Sequence, residues 1–532
     1  MCGSLAKGAV VCNYFLIICN FGFNKTICMK KTMLFSEVFP FVTTVLHMKR
    51  LQILLIVVLA CSTSLSGKTS SRDIHAIEKT LNNGFSDIVD ERFELVSIAF
   101  RLAGAEEYSN GHSPDYLRQV DSCFASYKNH QLFAFIREVR ESYNFAYDTA
   151  AKSAFMIELK GSHVMISPEW DLEKEFSGED GRCWNEAIFR RFVTLLDSFY
   201  RLSRFHSFFI SHSAFYEKAV QSCSDVPQKI KAEWFQDFYG EPLIGVDLVL
   251  GLCIGPNNYS VSDARRKKNW NGRKTIIIGT MEESKGIPFF YDDKIHILVH
   301  EIAHYYSNPL VEPYCVEMSD AMNFIFSEVK EEMARIGYGN AEDVTVEWIN
   351  ELFANCYLER KTSGGCIWNV ARNVENGYYW MNRAVDFMDN FYADRESYPT
   401  IAEFMPQLVE FTKELPAKWT VIQKEFDNRR PYVVEVFPAG NEFEVKTKEI
   451  RISFSSPMEV GIYGIFTIPE AEPLPGPVSC GWENDHTFVI NFDNTAMTPG
   501  ATYGFRLPSS TFSSTRYYTM EKDFDFVFKV ID

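Results

Sequence analysis

The chain has 532 residues, about three times the length of a typical domain, so we expect two or three folded units. Hydrophobic residues make up 46% of the chain and charged residues 23%, which excludes disordered, collagen-like and coiled-coil proteins. The net charge of −17 argues against nucleic acid as a partner, because phosphate binding relies on basic surface.

The N-terminal segment reads as a targeting signal. Residues 1–47 contain apolar runs without an amphipathic period, and we expect them to be mistranslated sequence upstream of the true initiator, Met48. Two basic residues follow, and Ile53–Ala60 is an apolar segment of the length found in export signals. Residues 48–61 resemble a bacterial lipoprotein signal, in which Cys61 is lipidated and becomes the mature N-terminus.

Lipidation at Cys61 predicts an exported protein held at the cell envelope, on the outer membrane or facing the periplasm, by a lipid anchor. The alternative is an ordinary signal peptide cut near Ser62–Ser66, which predicts a secreted protein. Residues 62–73 are rich in Ser, Thr and Gly and are predicted to be a linker.

Hydrophobic periodicity divides the remainder into three regions. Residues 74–240 follow a mostly helical pattern, and residues 241–430 combine the β-compatible runs Leu243–Leu252 and Arg273–Thr280 with long helical patterns. Residues 431–532 switch to short alternating segments with turns rich in Pro, Gly and Asn. We therefore expect an α+β chain, in which a mostly helical region precedes an all-β sandwich.

The most informative motif is the HExxH sequence at His300–His304, inside the predicted helix Asp292–Asn308. On a helix the two histidines lie one turn apart on one face, so both imidazoles can bind one metal ion. Neutral imidazole suits Zn²⁺, and a catalytic zinc site has three protein ligands and one open position. Glu301, beside the first histidine, is suited to accept a proton from water. The alternative is a set of hydrogen-bonded side chains on a partly buried helix.

A second helical segment, Glu347–Glu359 (EWINELFANCYLE), offers the third ligand. Its WINELFAN stretch, together with HEIAHYYSNPLV in the first helix, resembles the zinc-binding helices of the gluzincins, especially the zinc aminopeptidases. The resemblance implies a zincin-like region with Zn²⁺ held by His300, His304 and Glu351. Glu347, one turn before Glu351, is the competing third ligand.

The resemblance also implies an orienting residue. Asn355 lies one turn after Glu351, where gluzincins such as thermolysin place an Asp that hydrogen-bonds a ligand histidine. Tyr392 and Tyr398 are candidates for stabilising an oxyanion, with packing as the alternative role.

The spacing between the two helices departs from the aminopeptidase pattern, and residues 279–283 (GTMEE) echo the aminopeptidase exopeptidase strand only faintly. We therefore infer no aminopeptidase activity. The neighbouring run Thr275–Thr280 is a candidate edge strand for pairing with an extended peptide.

Over a longer span, residues 85–430 resemble an uncharacterised family of bacterial secreted proteins and lipoproteins, regarded as metallopeptidases and classed as a domain of unknown function. Asp90–Gly104 (DERFELVSIAFRLAG) carries this resemblance together with the two helices. Ile450–Met458 and Met497–Tyr503 resemble bacterial Ig-like domains, which implies an Ig-like sandwich at the C-terminus.

These observations predict an exported zinc metallopeptidase that hydrolyses a polypeptide substrate with Glu301 as the general base. The alternative is an exported binding or scaffold protein with a structural or vestigial zinc site. Zinc-dependent hydrolysis of a substrate other than a polypeptide also remains open.

Overall fold

The computed structural model begins to describe the chain at His75. The described residues are 75–142, 147–176, 185–261, 272–280, 282–284, 286–461, 463–476 and 478–532. The predictions made for residues 1–73, including the lipidation of Cys61, lie outside this part of the chain. Within the described ranges no helix is both long enough and apolar enough to cross a bilayer.

The helices occupy the part of the chain before residue 430 and are numbered in chain order. They are α1 (Glu91–Ala103), α2 (Pro114–Phe124), α3 (Gln131–Ser142), α4 (Tyr147–Ser153), α5 (Leu172–Glu175), α6 (Glu186–Ser203), α7 (Phe205–Ser211), α8 (Ser213–Cys223), α9 (Glu233–Tyr239), α10 (Lys294–Val311), α11 (Cys315–Glu328), α12 (Lys330–Arg335), α13 (Ala341–Lys361), α14 (Ile367–Glu375), α15 (Met381–Phe387), α16 (Asp389–Ala393) and α17 (Ile401–Arg429).

The strands lie both among these helices and after them. They are β1 (Ala76–Thr80), β2 (Phe85–Asp90), β3 (Ile157–Lys160), β4 (His163–Ile166), β5 (Val246–Gly251), β6 (Asn258–Val261), β7 (Lys274–Gly279), β8 (Glu282–Ser284), β9 (Ile287–Phe289), β10 (Val433–Phe437), β11 (Glu442–Glu444), β12 (Glu449–Phe454), β13 (Ser479–Asn484), β14 (Thr487–Asn491), β15 (Thr502–Leu507) and β16 (Phe524–Ile531).

A five-stranded mixed sheet with the order β1-β2-β5-β7-β6 organises the first part of the chain. The central strands β2, β5 and β7 are parallel, and β1 and β6 are antiparallel edge strands. Because β2 precedes residue 240 and β5 follows it, the two regions predicted as 74–240 and 241–430 share one sheet. Local helical periodicity could not reveal this pairing, since the partners are separated by the long helical crossover between β2 and β5.

Strand β6, rather than the predicted Thr275–Thr280, is the edge of the sheet near the HExxH helix. All of the run Thr275–Thr280 except Thr280 falls in β7, an inner strand whose isoleucines are fully buried, as expected for a strand covered on both faces. At the end of β7, a Cβ on Gly279 would lie 1.9 Å from the carbonyl oxygen of Gly255. Only glycine therefore allows the segment before β6 to cross so close to β7.

Helices α10 and α13 pack against each other and carry the predicted ligands. Their contact is partly polar: Ser307 Oγ donates to Asn350 Oδ1 at 2.6 Å, and Asn350 Nδ2 donates to the carbonyl oxygen of His300 at 3.1 Å. Helix α13 begins at an N-cap, where Asn340 Oδ1 accepts from the backbone N–H of Asp343 at 2.8 Å. These contacts hold the two helices in one register.

The C-terminal part is a sandwich of a four-stranded sheet, β10-β12-β14-β13, and a three-stranded sheet, β11-β16-β15. Burial alternates along β12 and β14, as expected for strands with one face toward a core. The sandwich also contacts the preceding helices: Arg430 donates to the carbonyl oxygen of Met520 at 2.6 Å, and Glu375 accepts from the backbone N–H of Thr519 at 3.2 Å. The predicted α+β class with an all-β C-terminal domain is confirmed.

Candidate metal centre

Three side chains from α10 and α13 converge at one point. His300 and His304 lie one turn apart on α10, with their Nε2 atoms 3.1 Å from each other. Glu347 on α13 faces both rings, with its carboxylate oxygens 3.5 Å from His300 Nε2 and 3.7 Å from His304 Nε2. One ligand atom from each residue lies within 4.8 Å of the others. Two imidazoles and one carboxylate form a donor set that can hold Zn²⁺.

The spacing of these atoms fits Zn²⁺. With Zn–N bonds of about 2.0–2.1 Å and tetrahedral angles, two zinc-bound nitrogens lie about 3.3 Å apart, and a carboxylate ligand lies at a similar distance. The observed separations of 3.1, 3.5 and 3.7 Å are close to these values. Glu347 Oε2 is buried, and its contact with His300 Nε2 is long, at 3.5 Å.

Glu351 lies elsewhere than the sequence comparison implied. Its Oε1 is 3.3 Å from Nδ1 of His300, on the opposite edge of the ring from Glu347. Its Oε2 accepts from Asn373 Nδ2 at 2.9 Å and from Asn369 Nδ2 at 3.3 Å. Glu347 therefore faces the Nε2 atoms of both histidines, whereas Glu351 lies beside Nδ1 of His300.

Asn355 also lies away from the position that the resemblance implied. It was expected to hydrogen-bond a ligand histidine, but its Oδ1 accepts from Asn369 and its Nδ2 donates to Asn373, both at 2.8 Å. It lies one turn farther from the histidines than Glu351 does, so it reaches the site only through the asparagines of α14.

His304 has an orienting partner on its own helix, which the sequence analysis missed. Nδ1 of His304 lies 2.9 Å from Oδ1 of Asn308, one turn later on α10. Since an amide oxygen only accepts, Nδ1 is the donor in this contact, and Nε2 faces Glu347. In both histidines Nδ1 lies beside an oxygen atom, which is Glu351 Oε1 for His300 and Asn308 Oδ1 for His304.

Glu301 is held by the edge strand of the sheet. Ser260 on β6 donates its hydroxyl to Glu301 Oε2 at 2.9 Å and also lies 2.5 Å from the carbonyl oxygen of Glu301. Burial raises the pKa of Glu301 above its ordinary value, although the two histidines and Ser260 oppose the shift. Nothing in the spacing of the sequence pointed to Ser260, because its role depends on the packing of β6 against α10.

The histidines and glutamates of the site shift one another's pKa values. Burial raises the pKa of Glu347, but the charges of His304 and His300 outweigh it and leave that pKa below its ordinary value. For His300, burial lowers the pKa, and the charges of Glu351 and Glu347 raise it well above the ordinary value. The carboxylates therefore favour a cation at this position, and a metal ion would compete with a proton for it.

His300, His304 and Glu347 line a cleft of about 570 Å³. Its lining includes Ser260, Tyr305 and Tyr338. The pKa of Tyr338 is raised well above its ordinary value by burial and by the neighbouring Glu347. The predicted oxyanion candidates Tyr392 and Tyr398 do not line this cleft.

Those two tyrosines pack elsewhere. The guanidinium of Arg360 lies 3.2 Å from the ring centroid of Tyr392. Tyr398 contacts Phe404 edge to face. The alternative reading of both as packing residues fits these contacts.

His296, one turn before His300, is buried apart from the three ligands. Its Nδ1 is bonded to the carbonyl oxygen of Asp293, and its ring lies edge to face against Trp368. Burial lowers the pKa of His296 to about 3, so this imidazole stays neutral.

Comparison with known protein families covers most of the chain. A family model described as a domain of unknown function (DUF4932) matches residues 73–411, and a model described as a bacterial Ig-like domain matches residues 427–530. No curated protein matches the chain. The first model spans more than half of the sequence and crosses the predicted boundary at residue 240. Its description assigns no activity. The chain thus belongs to the DUF4932 family and carries a bacterial Ig-like domain at its C-terminus.

Proposed function

We propose that this protein is an exported zinc metallopeptidase in which His300, His304 and Glu347 hold the metal and Glu301 is the general base. The observation that carries the proposal is the pair of Nε2 atoms 3.1 Å apart that face the carboxylate of Glu347. A purely structural role for this group would not require a buried glutamate base beside an open cleft.

The chemistry assigns separate tasks to the side chains. A bound Zn²⁺ ion supplies Lewis-acid polarisation of a carbonyl and acidifies water. Glu301 accepts the proton of the attacking water and returns it to the leaving amine, and its raised pKa suits this double role. Ser260 holds one oxygen of that carboxylate, which leaves the other oxygen for the proton transfer.

The edge strand supports a polypeptide as the substrate. Asn258, Tyr259 and Ser260 of β6 line the cleft, and among the described residues the strand that pairs with β6 is β7. An extended peptide can add to such an edge through backbone hydrogen bonds, which brings a scissile carbonyl past the histidines. Tyr338 lines the same cleft and offers a phenol for stabilising an oxyanion.

Export and lipid anchoring are part of the proposal and rest on residues 48–61 alone. Intact mass of the protein from its native membrane should show a diacylglyceryl group on Cys61 and no residue before it. A mass that includes residues before Met48 would exclude this start.

The metal is tested by elemental analysis of the purified protein, with His304→Ala as the blank. We expect one zinc per chain, lost in the variant, and then cleavage of a peptide library by the wild-type protein. If no zinc binds after reconstitution, the metallopeptidase is excluded and the exported binding or scaffold protein becomes the better reading. If zinc binds without peptide cleavage, a structural site or another substrate takes its place.

A further inference from the structure

A cluster of buried amides lies behind the proposed metal centre. Asn355 on α13 and Asn369 and Asn373 on α14 are each at most 2% exposed. Burying an amide away from water costs free energy unless its donors and acceptors are paired. Apolar packing alone therefore does not explain three buried amides at this helix contact.

The hydrogen bonds in this cluster form two branches that both lead to Glu351. Arg372 donates to Asn369 Oδ1 at 2.9 Å, and Asn369 Nδ2 donates to Glu351 Oε2 and to Asn355 Oδ1. Asn355 in turn donates to Asn373 Oδ1, and Asn373 Nδ2 donates to Glu351 Oε2 at 2.9 Å. Both branches end with an N–H group on the same oxygen of Glu351.

This arrangement leaves the other oxygen of Glu351 for His300. Its Oε1 lies 3.3 Å from His300 Nδ1, and a carboxylate held in this place limits the rotation of the ring. Nε2, on the other side of the ring, then faces Glu347 and His304. Without the two amide donors, the Glu351 side chain would be free to rotate away from the imidazole.

We propose that Asn369 and Asn373, supported by Asn355 and Arg372, are positioning residues that fix Glu351 and thereby aim His300 at the metal. The inference rests on the proposed zinc site and names how its geometry is maintained. Outer contacts of this kind are worth about 10–100-fold in metal affinity. The pair Asn369 and Asn373 is spaced one turn apart in the sequence, and so are Glu351 and Asn355, which lets two helices face each other with two polar side chains each.

The test is the zinc dissociation constant of Asn373→Leu, measured by competition with a chelator. We expect zinc to bind about 10–100-fold more weakly than in the wild-type protein. Asn382→Leu is the matched control, because it removes an amide bonded to Tyr518 at the contact with the sandwich and should leave the zinc affinity unchanged. A twofold change or less in Asn373→Leu would overturn the proposal.

A double-mutant cycle separates positioning from a general loss of packing. If Asn373 acts through Glu351, adding Asn373→Leu to Glu351→Gln should cause little further loss of affinity. Independent, additive losses would mean that the asparagine serves stability alone. If Asn373→Leu does not fold, Asn373→Ser removes the same donor to Glu351 with a smaller change.

The proposed function can fail separately from this inference. If the wild-type protein binds no zinc, the metal centre is excluded, and the cluster is judged from crystal structures of the wild type and of Asn373→Leu. Loss of the Glu351–His300 contact in the variant would support the positioning role. An unchanged contact would refute it.

Discussion

The sheet-containing part of the chain and the Ig-like sandwich bury different kinds of side chain. Before residue 430 the buried residues include carboxylates, a lysine, an imidazole and amides, whereas Ser514 is the only buried polar residue that the described part of the sandwich contains. The sandwich core consists of aromatic and aliphatic residues such as Phe488, Ile490 and Phe528. Apolar burial is enough to hold a sandwich together, so buried polar groups mark the part of the molecule where chemistry constrains the sequence.

The largest effect on activity should come from Glu301→Gln. The substitution keeps the size of the side chain but removes the proton acceptor, so peptide hydrolysis should fall by about 10²–10⁴-fold while zinc stays bound. Steady-state cleavage assays combined with elemental analysis check both parts. Activity retained by the zinc-loaded variant would remove Glu301 from the mechanism.

The two glutamates of α13 should differ in their effect on zinc. Glu347→Ala removes a proposed ligand and should weaken zinc binding by more than about 100-fold, whereas Glu351→Ala removes an orienting partner and should cost about 10–100-fold. Chelator competition gives both constants under the same conditions. The opposite ranking would return the third-ligand position to Glu351, as the sequence comparison implied.

A cavity in the sandwich should affect stability alone. Ile452 is fully buried in β12, and Ile452→Ala should destabilise the sandwich by about 2–5 kcal/mol. Hydrogen exchange at the backbone amides of the sandwich strands, measured at increasing urea concentration, reports this loss. An accompanying change in zinc affinity would show that the sandwich and the part before residue 430 are energetically coupled.

A buried carboxyl of the first part should make its stability depend on pH. Burial raises the pKa of Glu94 to about 7, although Tyr116 donates a hydrogen bond that opposes the shift. A raised folded-state pKa favours the protonated form, so the contribution of this group is fully present below about pH 4.5 and is lost as the pH rises toward 7, on the order of 3 kcal/mol.

Glu94→Gln should therefore flatten the pH dependence of the free energy of unfolding between about pH 4.5 and 7. The exposed Glu435→Gln in β10 is the control and should leave the dependence as it is in the wild type. Denaturant titrations at several pH values measure the difference between each variant and the wild type. Equal curves for the wild type and Glu94→Gln would contradict the burial argument.

The sequence anticipated the features that depend on local periodicity. The HExxH spacing placed His300 and His304 on one helical face, and the alternating C-terminal segments predicted a sandwich. Ser260 and Tyr338 had no such signal, because each meets the site from a segment far from the HExxH helix in the chain. The spacing of Asn369 and Asn373 was visible in the sequence, but a pair of amides one turn apart has no meaning until a carboxylate faces it.

The sequence by itself determined that the chain contains two histidines on one helix face, a glutamate beside the first of them, and an α+β architecture ending in a β-sandwich. Only the tertiary structure decided which glutamate faces both histidines, because Glu347 and Glu351 lie one turn apart on the same helix and both can face α10. The register of α13 against α10, fixed by Ser307 and Asn350, makes that choice. The joining of β2 to β5 likewise required the fold, since strand pairing over so many residues leaves no local pattern.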